Sequence, residues 1–558
     1  MRLTGFSLGN ALFPAVGLIL VLAMVFGGAT RSGFLADVLV QIFSIPLLFL
    51  ALLRQGEDGK GWGGALAFCL VIVMVPLLQL IPLPPALWTR LPMRETVVGN
   101  LSLIGHDLDW RPLSLTPHAT WVVILSLIPP LAVFLSVRFL SYRERRYLVV
   151  LLLAFGVLAS LVGLMQVAQG PDGWLQDFGL ATRGDASGFF ANRNHFGALS
   201  YSLFMFAAAF AIVYASNFSR AVDRTEQAHA LALVIGSFVI LVVLLAAGII
   251  ARSRAGLGLM IVALLGAAAL ASSQTFASGT GGLRGAQGGR RVIAAAVGLV
   301  LLFGSQFALY RLLERFEADP LGDARVAFAR NTWEAAWTFM PFGSGLGSFV
   351  PVYQMFERPE DALLDKFANR AHNDLLEVWL EAGIVGLLLI SLFLGWLVLM
   401  IWRVWRPTQL PNQLPIDVLL MRAASVVLVL LLLHSLVDYP LRTTALSVLF
   451  AFCCGLLLPP DPSVVQDMIE STKAERHDAR PRDVEVRETA PSDRAGDVVP
   501  SEREQMDLHK PWPEADRPAE TTGRPTSAGG QWGDDIHWPD AWQKPSSSKG
   551  GEPDKDQS

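Results

Sequence analysis

Apolar residues run in blocks of about twenty along this chain, the length of helix that crosses a bilayer core. Polar residues gather in the connections between the blocks. The pattern predicts about twelve spans, near residues 11–27, 34–53, 62–83, 119–140, 147–167, 195–214, 228–250, 256–271, 292–309, 384–405, 416–437 and 444–458. The block at 256–271 is short and rich in Gly and Ala, a composition that lets helices approach closely. Pro129-Pro130 predicts a kink inside the fourth block. The expected fold class is all-α, a polytopic transmembrane helical protein.

The connections carry the orientation. If the N-terminus is inside, the even-numbered loops face the cytoplasm. Each of them is basic, with Arg54 and Lys60, then Arg143, Arg145 and Arg146, then Arg220 and Arg224, then Arg284, Arg290 and Arg291, then Arg403 and Arg406. That is the charge bias of cytoplasmic loops. The longer loops, 84–118, 169–193 and 310–383, then lie outside, and both termini lie inside. Only Arg2 precedes the first apolar block and no small-residue cleavage site follows it, so the block reads as a retained helix.

Composition adds a second part to this picture. The chain has 558 residues, is 53% hydrophobic and has a net charge of -4. From Asp461 onward it holds about 13 Lys+Arg and about 22 Asp+Glu, roughly -9, leaving roughly +5 for the membrane part. This balance speaks to location and gives no basis for a nucleic-acid partner. The expected organisation is a membrane domain over 1–460, with a large outer loop at 309–383, and a disordered cytoplasmic tail over 461–558 that lacks apolar periodicity. Trp512, Trp532, Trp538 and Trp542 make the tail either a partner-binding patch or a plain flexible extension. Cys69, Cys453 and Cys454 all lie in apolar runs and read as packing residues. No CxxC, HExxH or Walker pattern occurs, so no metal or cofactor is called for.

The candidate chemistry centres on residues 371–386. Asn373, Asp374, Glu377 and Glu381 fall on one stripe of a helix. His372 stands at the start of that helix, where free N–H groups favour anions over a charged imidazole. A neutral imidazole beside an anion site suits a general base acting on a phosphate-bearing substrate. A solvated histidine in a surface loop fits the same pattern.

Four further stretches share the outer side. Arg252 and Arg254, in the turn 251–255, are either a phosphate clamp or side chains snorkelling to headgroups. Residues 330–340 read as an amphipathic helix with Arg330, Trp333, Ala336 and Trp337 on one face, stopped by Pro341. The glycines 343, 345 and 347 then predict a tight turn open to close backbone approach. Asn192 and Asn194, before the sixth span, suit sugar hydroxyls or a helix cap. His434 and Asp438, one turn apart near Arg442, read as a helix-packing pair.

Together these stretches resemble the signature of the O-antigen ligase and polysaccharide polymerase family. The matching residues are His372-Asn373-x-x-Leu376-x4-Glu381-x-Gly383-x-x-Gly386, Ser253-Arg254, Arg330 with Trp333 and the run from Pro341 to Gly347, and Gly188-Phe189 with Asn192 and Asn194. The resemblance covers roughly residues 118–459 and leaves out the tail. It implies a membrane-embedded, metal-independent glycosyltransferase of GT-C-like architecture in a bacterial inner membrane, with no cofactor. Such an enzyme takes a glycan from undecaprenyl pyrophosphate and passes it to a glycan or lipid A-core acceptor on the periplasmic side. The resemblance implies His372 as the catalytic base. It implies Arg254 or Arg252, with Arg330, at the pyrophosphate, and Asn192, Asn194, Asn373 and Glu381 among the substrate-binding residues. Ligase, polymerase and transfer to protein hydroxyls all stay open at this point. So do two readings of another class, a transporter and a membrane scaffold whose tail recruits partners.

Overall fold

Every expected span that falls on described residues is helical. The computed structural model describes residues 8–30, 35–57, 63–175, 185–277, 320–362, 367–406 and 415–460, all within the unit Met1–Pro481. The expected span at 292–309 and the tail lie outside them. Eight described helices are long and apolar enough to cross a membrane, and three shorter ones are apolar throughout. The protein is thus all-α and multi-pass.

In chain order the helices begin with α1 (Leu8–Phe26), α2 (Leu35–Glu57) and α3 (Gly64–Gln79). A connection with short α4 (Pro85–Trp88) and α5 (Glu95–Leu103) follows, closed by strands β1 (Pro82–Leu83) and β2 (Arg111–Pro112). The two strands are antiparallel, with Pro82 opposite Pro112. The fourth block is broken into α6 (Pro117–Ser126) and α7 (Ile128–Val137), so the expected kink at Pro129-Pro130 is present as an interruption at Leu127. Then come α8 (Tyr142–Gln169), α9 (Arg193–Arg220), α10 (Arg224–Ile250) and α11 (Arg254–Ala277). The Gly/Ala-rich block is therefore part of a full-length helix. The segment before α14 holds α12 (Pro320–Thr338) and α13 (Phe349–Phe356), and α14 (Asp374–Trp405), α15 (Pro415–His434) and α16 (Thr444–Leu456) complete the bundle.

Helix α9 is the hub. It is buried without interruption from His195 to Phe210 and packs along α10, α11 and α15. Its runs of Ala and Gly let those neighbours approach, and its aromatic residues fill the space between them. Side-chain caps start three of these helices. Ser141 and Glu144 form a capping box on α8, Asn192 accepts from the Asn194 amide on α9, and Asn373 accepts from the Leu376 amide on α14. A cap of this kind contributes about 1 kcal/mol.

Helix α14 differs in two ways. Its membrane portion turns Ile384, Val385, Leu388, Leu392 and Val398 outward, the mark of a lipid-facing helix. It is also broken at Gly383, whose φ of 56° and ψ of -141° interrupt the helical run. The freed amide of Ile384 donates to the Pro341 carbonyl at 2.9 Å. A β-carbon at Gly383 would stand 2.2 Å from that carbonyl oxygen, so the join needs glycine.

The glycine turn expected after Pro341 is the other half of this joint. Gly343, Gly345 and Gly347 all have positive φ. Every amide from Gly343 to Phe349 has a protein acceptor. The Ser344 and Gly345 amides donate to the Leu380 and Glu381 carbonyls. The Leu346 amide donates to Gln79, and those of Gly347 and Phe349 donate to the Glu381 carboxylate. The turn therefore spends its donors on the helix break and leaves none to cradle a phosphate.

Candidate active site

His372 and Asp438, 66 residues apart in sequence, meet at the N-terminal end of α9. His372 Nδ1 lies 3.1 Å from Asp438 Oδ1. The same carboxylate oxygen accepts from the Tyr439 amide at 3.0 Å, and Oδ2 accepts from Asn194 Nδ2 at 2.5 Å. Arg325 of α12 stands 3.9 Å away. Asp438 is fully buried, whereas His372 keeps 18% of its side chain exposed. Burial alone would raise the Asp438 carboxyl. The His372 hydrogen bond and the charges of the surrounding imidazoles outweigh it and hold the group well below the usual carboxylate range. An ionised carboxylate only accepts, so Nδ1 carries a proton, and in the neutral imidazole the lone pair then sits on Nε2.

The imidazole is held on both faces as well. Phe328 stacks on it at 5.9 Å between ring centres, and Tyr439 meets it edge-on at 4.9 Å. Burial pushes the Tyr439 phenol up to about 12, and its hydroxyl bonds Asn369 and Asn192. His372 has a left-handed backbone, φ 50°, which is strained for a residue with a β-carbon. Arg252 shares this conformation at the same φ.

The other expected residues divide into three groups. Asn192 caps α9 through the Asn194 amide, and the Asn194 side chain braces Asp438. Arg252 pairs with Asp185 at 3.2 Å, and Asp185 also binds Arg193 of α9. The turn carrying Arg252 and Arg254 packs on the first turn of α9, where Ser253 closes on Gly197. These arginines and the His372–Asp438 pair thus share one end of α9. Arg330 stands on another side of α12 and bonds Asp361 at 2.5 Å.

Asn373 and Glu381 belong to the scaffold around the site. Asn373 donates to the Leu436 carbonyl while it caps α14. Glu381 is fully buried, and besides the two loop amides it meets Arg442 at 3.3 Å. Arg442 also reaches Asp374 at 3.4 Å and Glu377 at 3.5 Å, and Glu377 takes a second guanidinium from Arg370 at 2.8 Å. The polar stripe read from the sequence is real, but it points inward, where two arginines pair with three carboxylates. This network ties α14, the glycine turn and the segment after α15 together, with His372 on the short link between Arg370 and α14.

Fold and site thus define a multi-pass all-α membrane protein with a buried carboxylate behind a partly exposed histidine. Residues 197–391 match the family model described as O-Antigen ligase. The resemblance read from the motifs is borne out by that match, which supports glycan ligation or polymerisation as the general class of activity. No curated protein matches the chain. The matched segment includes His372, Arg252, Arg254 and Arg330, and it ends before Asp438.

Arg325 is the site residue that sequence reasoning missed, and in the sequence Asp438 reads as half of a helix-packing pair with His434. Asp438 was visible one turn after His434, and the structure joins the two by the Asp438 amide, which donates to the His434 carbonyl at 2.9 Å. A lone acid just past the C-terminal end of an apolar span was the available signal. Nothing in the sequence paired it with His372.

Proposed function

We propose that this protein transfers or polymerises a glycan carried on undecaprenyl pyrophosphate, on the periplasmic side of a bacterial inner membrane, with His372 as general base. The observation that carries the proposal is the Nδ1 contact of His372 with a buried, ionised Asp438, which leaves Nε2 as the proton acceptor. In the step proposed, Nε2 takes the proton of an acceptor hydroxyl. The acceptor oxygen bonds the anomeric carbon while the bond from that carbon to the pyrophosphate oxygen breaks. Undecaprenyl pyrophosphate leaves with the electron pair, and the imidazolium returns its proton to water. Asp438 stabilises the imidazolium in between.

Charge developing on the leaving pyrophosphate calls for preplaced cations. Arg325 is the arginine nearest the dyad, and Arg252 and Arg254 stand at the same end of α9. Arg330 holds Asp361 in a half-exposed ion pair. Such pairs are weak, so phosphate oxygens can displace the carboxylate. Asn373 and Glu381 act as positioning residues in this account. The acceptor is a second glycan or lipid A-core, and the step needs no resident metal or cofactor.

Among the described residues spans are interrupted at Leu127 and at Gly383, and the break at Gly383, nearest the site, is the one that suits a transporter, since transport sites use interrupted helices. Its amides are bonded within the protein, which favours the enzyme reading. The test is the surface glycan of a deletion strain complemented with wild type or His372→Ala at matched protein levels. Loss of glycan with both the deletion and the variant supports the enzyme. Accumulated long lipid-linked chains mark a ligase and single repeat units a polymerase. Full rescue by His372→Ala removes this residue from the mechanism and returns weight to a transporter or scaffold.

A further inference from the structure

Helix α12 has two apolar faces, and only one of them is covered. Phe328, Ala335 and Phe339 point into the protein and are buried. Val326, Trp333 and Trp337 recur at i, i+7 and i+11, which puts them on a single opposing stripe. They are 69%, 50% and 56% exposed. Trp333 and Trp337 are braced from behind by Trp379 of α14. The ring centres lie 4.8 and 5.1 Å from Trp379, both edge to face. Trp379 is itself buried, and its indole N–H is spent on Met340 Sδ at 3.2 Å. The cluster is therefore a fixed apolar surface, and Phe342 at the end of α12 extends it with half its own surface exposed.

The position of the cluster names what covers it. Trp379 comes one turn before Gly383, and the lipid-facing side of α14 begins at Ile384. The two are five residues apart in sequence. The exposed apolar face of α14 at Leu388, Val385 and Ile384 is thus followed, across the buried break, by Trp379 and the two exposed tryptophans of α12 that pack on it. Indole rings favour the boundary between headgroups and acyl chains, where an apolar body and a polar edge are both satisfied.

We propose that Val326, Trp333 and Trp337, backed by Trp379, form an interfacial anchor that seats α12 in the headgroup boundary of the bilayer, on the side of the membrane where His372 lies. The occupant is the lipid surface. The anchor sets the depth of α12, and with it the height of Arg325 and Phe328, which stand over the Asp438–His372 pair. It does not depend on His372 being a base.

The experiment places a nitroxide on Val326→Cys, Trp333→Cys or Trp337→Cys, with Glu360→Cys in the exposed turn after α13 as the aqueous reference. Cys69, Cys453 and Cys454 are all buried, so the label goes to the introduced thiol. The full chain is reconstituted in liposomes of phosphatidylethanolamine and phosphatidylglycerol, and collisions with oxygen and with a water-soluble nickel chelate are compared by paramagnetic resonance. The ratio of oxygen to nickel collisions is expected to be several-fold higher at 326, 333 and 337 than at 360. Equal ratios at all four positions overturn the proposal. Nickel exclusion that develops only when an oligosaccharide is added also overturns it, and assigns the rings to a sugar. Val326→Cys removes no tryptophan, so it reads the depth of α12 even if the other two variants fail to fold.

Discussion

Replacing Asp438 by Asn keeps the shape of the side chain and removes its charge, which makes it the sharpest probe of the dyad. In the wild type one oxygen accepts from His372 and the Tyr439 amide, and the other accepts from Asn194. An amide has one oxygen for these three donors, and its NH2 must face either Asn194 or His372. If it faces His372, Nδ1 becomes the acceptor, the proton moves to Nε2 and the base is lost. If it faces Asn194, the tautomer survives, but the imidazolium loses its counter-charge. A positioned general base contributes about 10²–10⁴-fold to a rate, or roughly 2.7–5.4 kcal/mol. We expect kcat to fall within that range in liposomes supplied with lipid-linked donor, with KM for donor little changed. In a His372→Ala background the same substitution should cost almost nothing further, because the two residues act as one unit. Turnover within about threefold of wild type by folded Asp438→Asn, or a full additional loss on top of His372→Ala, would refute the reasoning.

Three other outcomes follow from the scaffold. Gly383→Ala forces a β-carbon to 2.2 Å from the Pro341 oxygen at a φ of 56°; about 1–3 kcal/mol of backbone strain plus overpacking should lower the melting temperature markedly. Gly395→Ala, which meets nothing within 4 Å, should leave it unchanged in the same detergent melt, and equal melting points would contradict the account. Glu381→Gln removes one of the three carboxylates on Arg442 but leaves it Asp374 and Glu377; the weakened charged contacts should cost about 1.5–3 kcal/mol, read as loss of folded protein on heating, and an unaltered melt would show that the network is not structural. The Asp438 carboxyl is depressed in the folded protein, so its contribution is complete above about pH 4 and fades only as the pH falls below that. The melting gap between wild type and Asp438→Asn should therefore be constant from about pH 5 to pH 8, and a gap that closes within this range would mean that Asp438 is not held ionised.

The spans were legible because lipid imposes length and apolarity on a helix regardless of its neighbours. Pro129-Pro130 announced a break for the same local reason. Gly383 did not, because nothing in its surroundings distinguishes it from a glycine inside a continuous helix. Its role comes from Pro341, 42 residues earlier in the chain. The stripe Asp374, Glu377, Glu381 was legible as a stripe, yet its direction depends on Arg442 and Arg370, which only the folded chain supplies. The glycine turn was expected to be open to close approach and is, but the backbone that approaches is its own α14. His372 stood out by its place at a helix start. Its partner lies on the far side of two helices, and Arg325 sits in a stretch where the sequence drew attention to Arg330 instead. Sequence periodicity fixes which residues share a helix face, and long-range pairing decides which face meets the site.

The most direct test of the account is transfer itself. Purified chain in liposomes receives a radiolabelled glycan on undecaprenyl pyrophosphate together with candidate acceptors, and transferred label is counted for wild type and His372→Ala. The account predicts transfer by the wild type, with undecaprenyl pyrophosphate released in equal amount, and a loss of about 10²–10⁴-fold with the variant. Transfer at the wild-type rate by His372→Ala would contradict it.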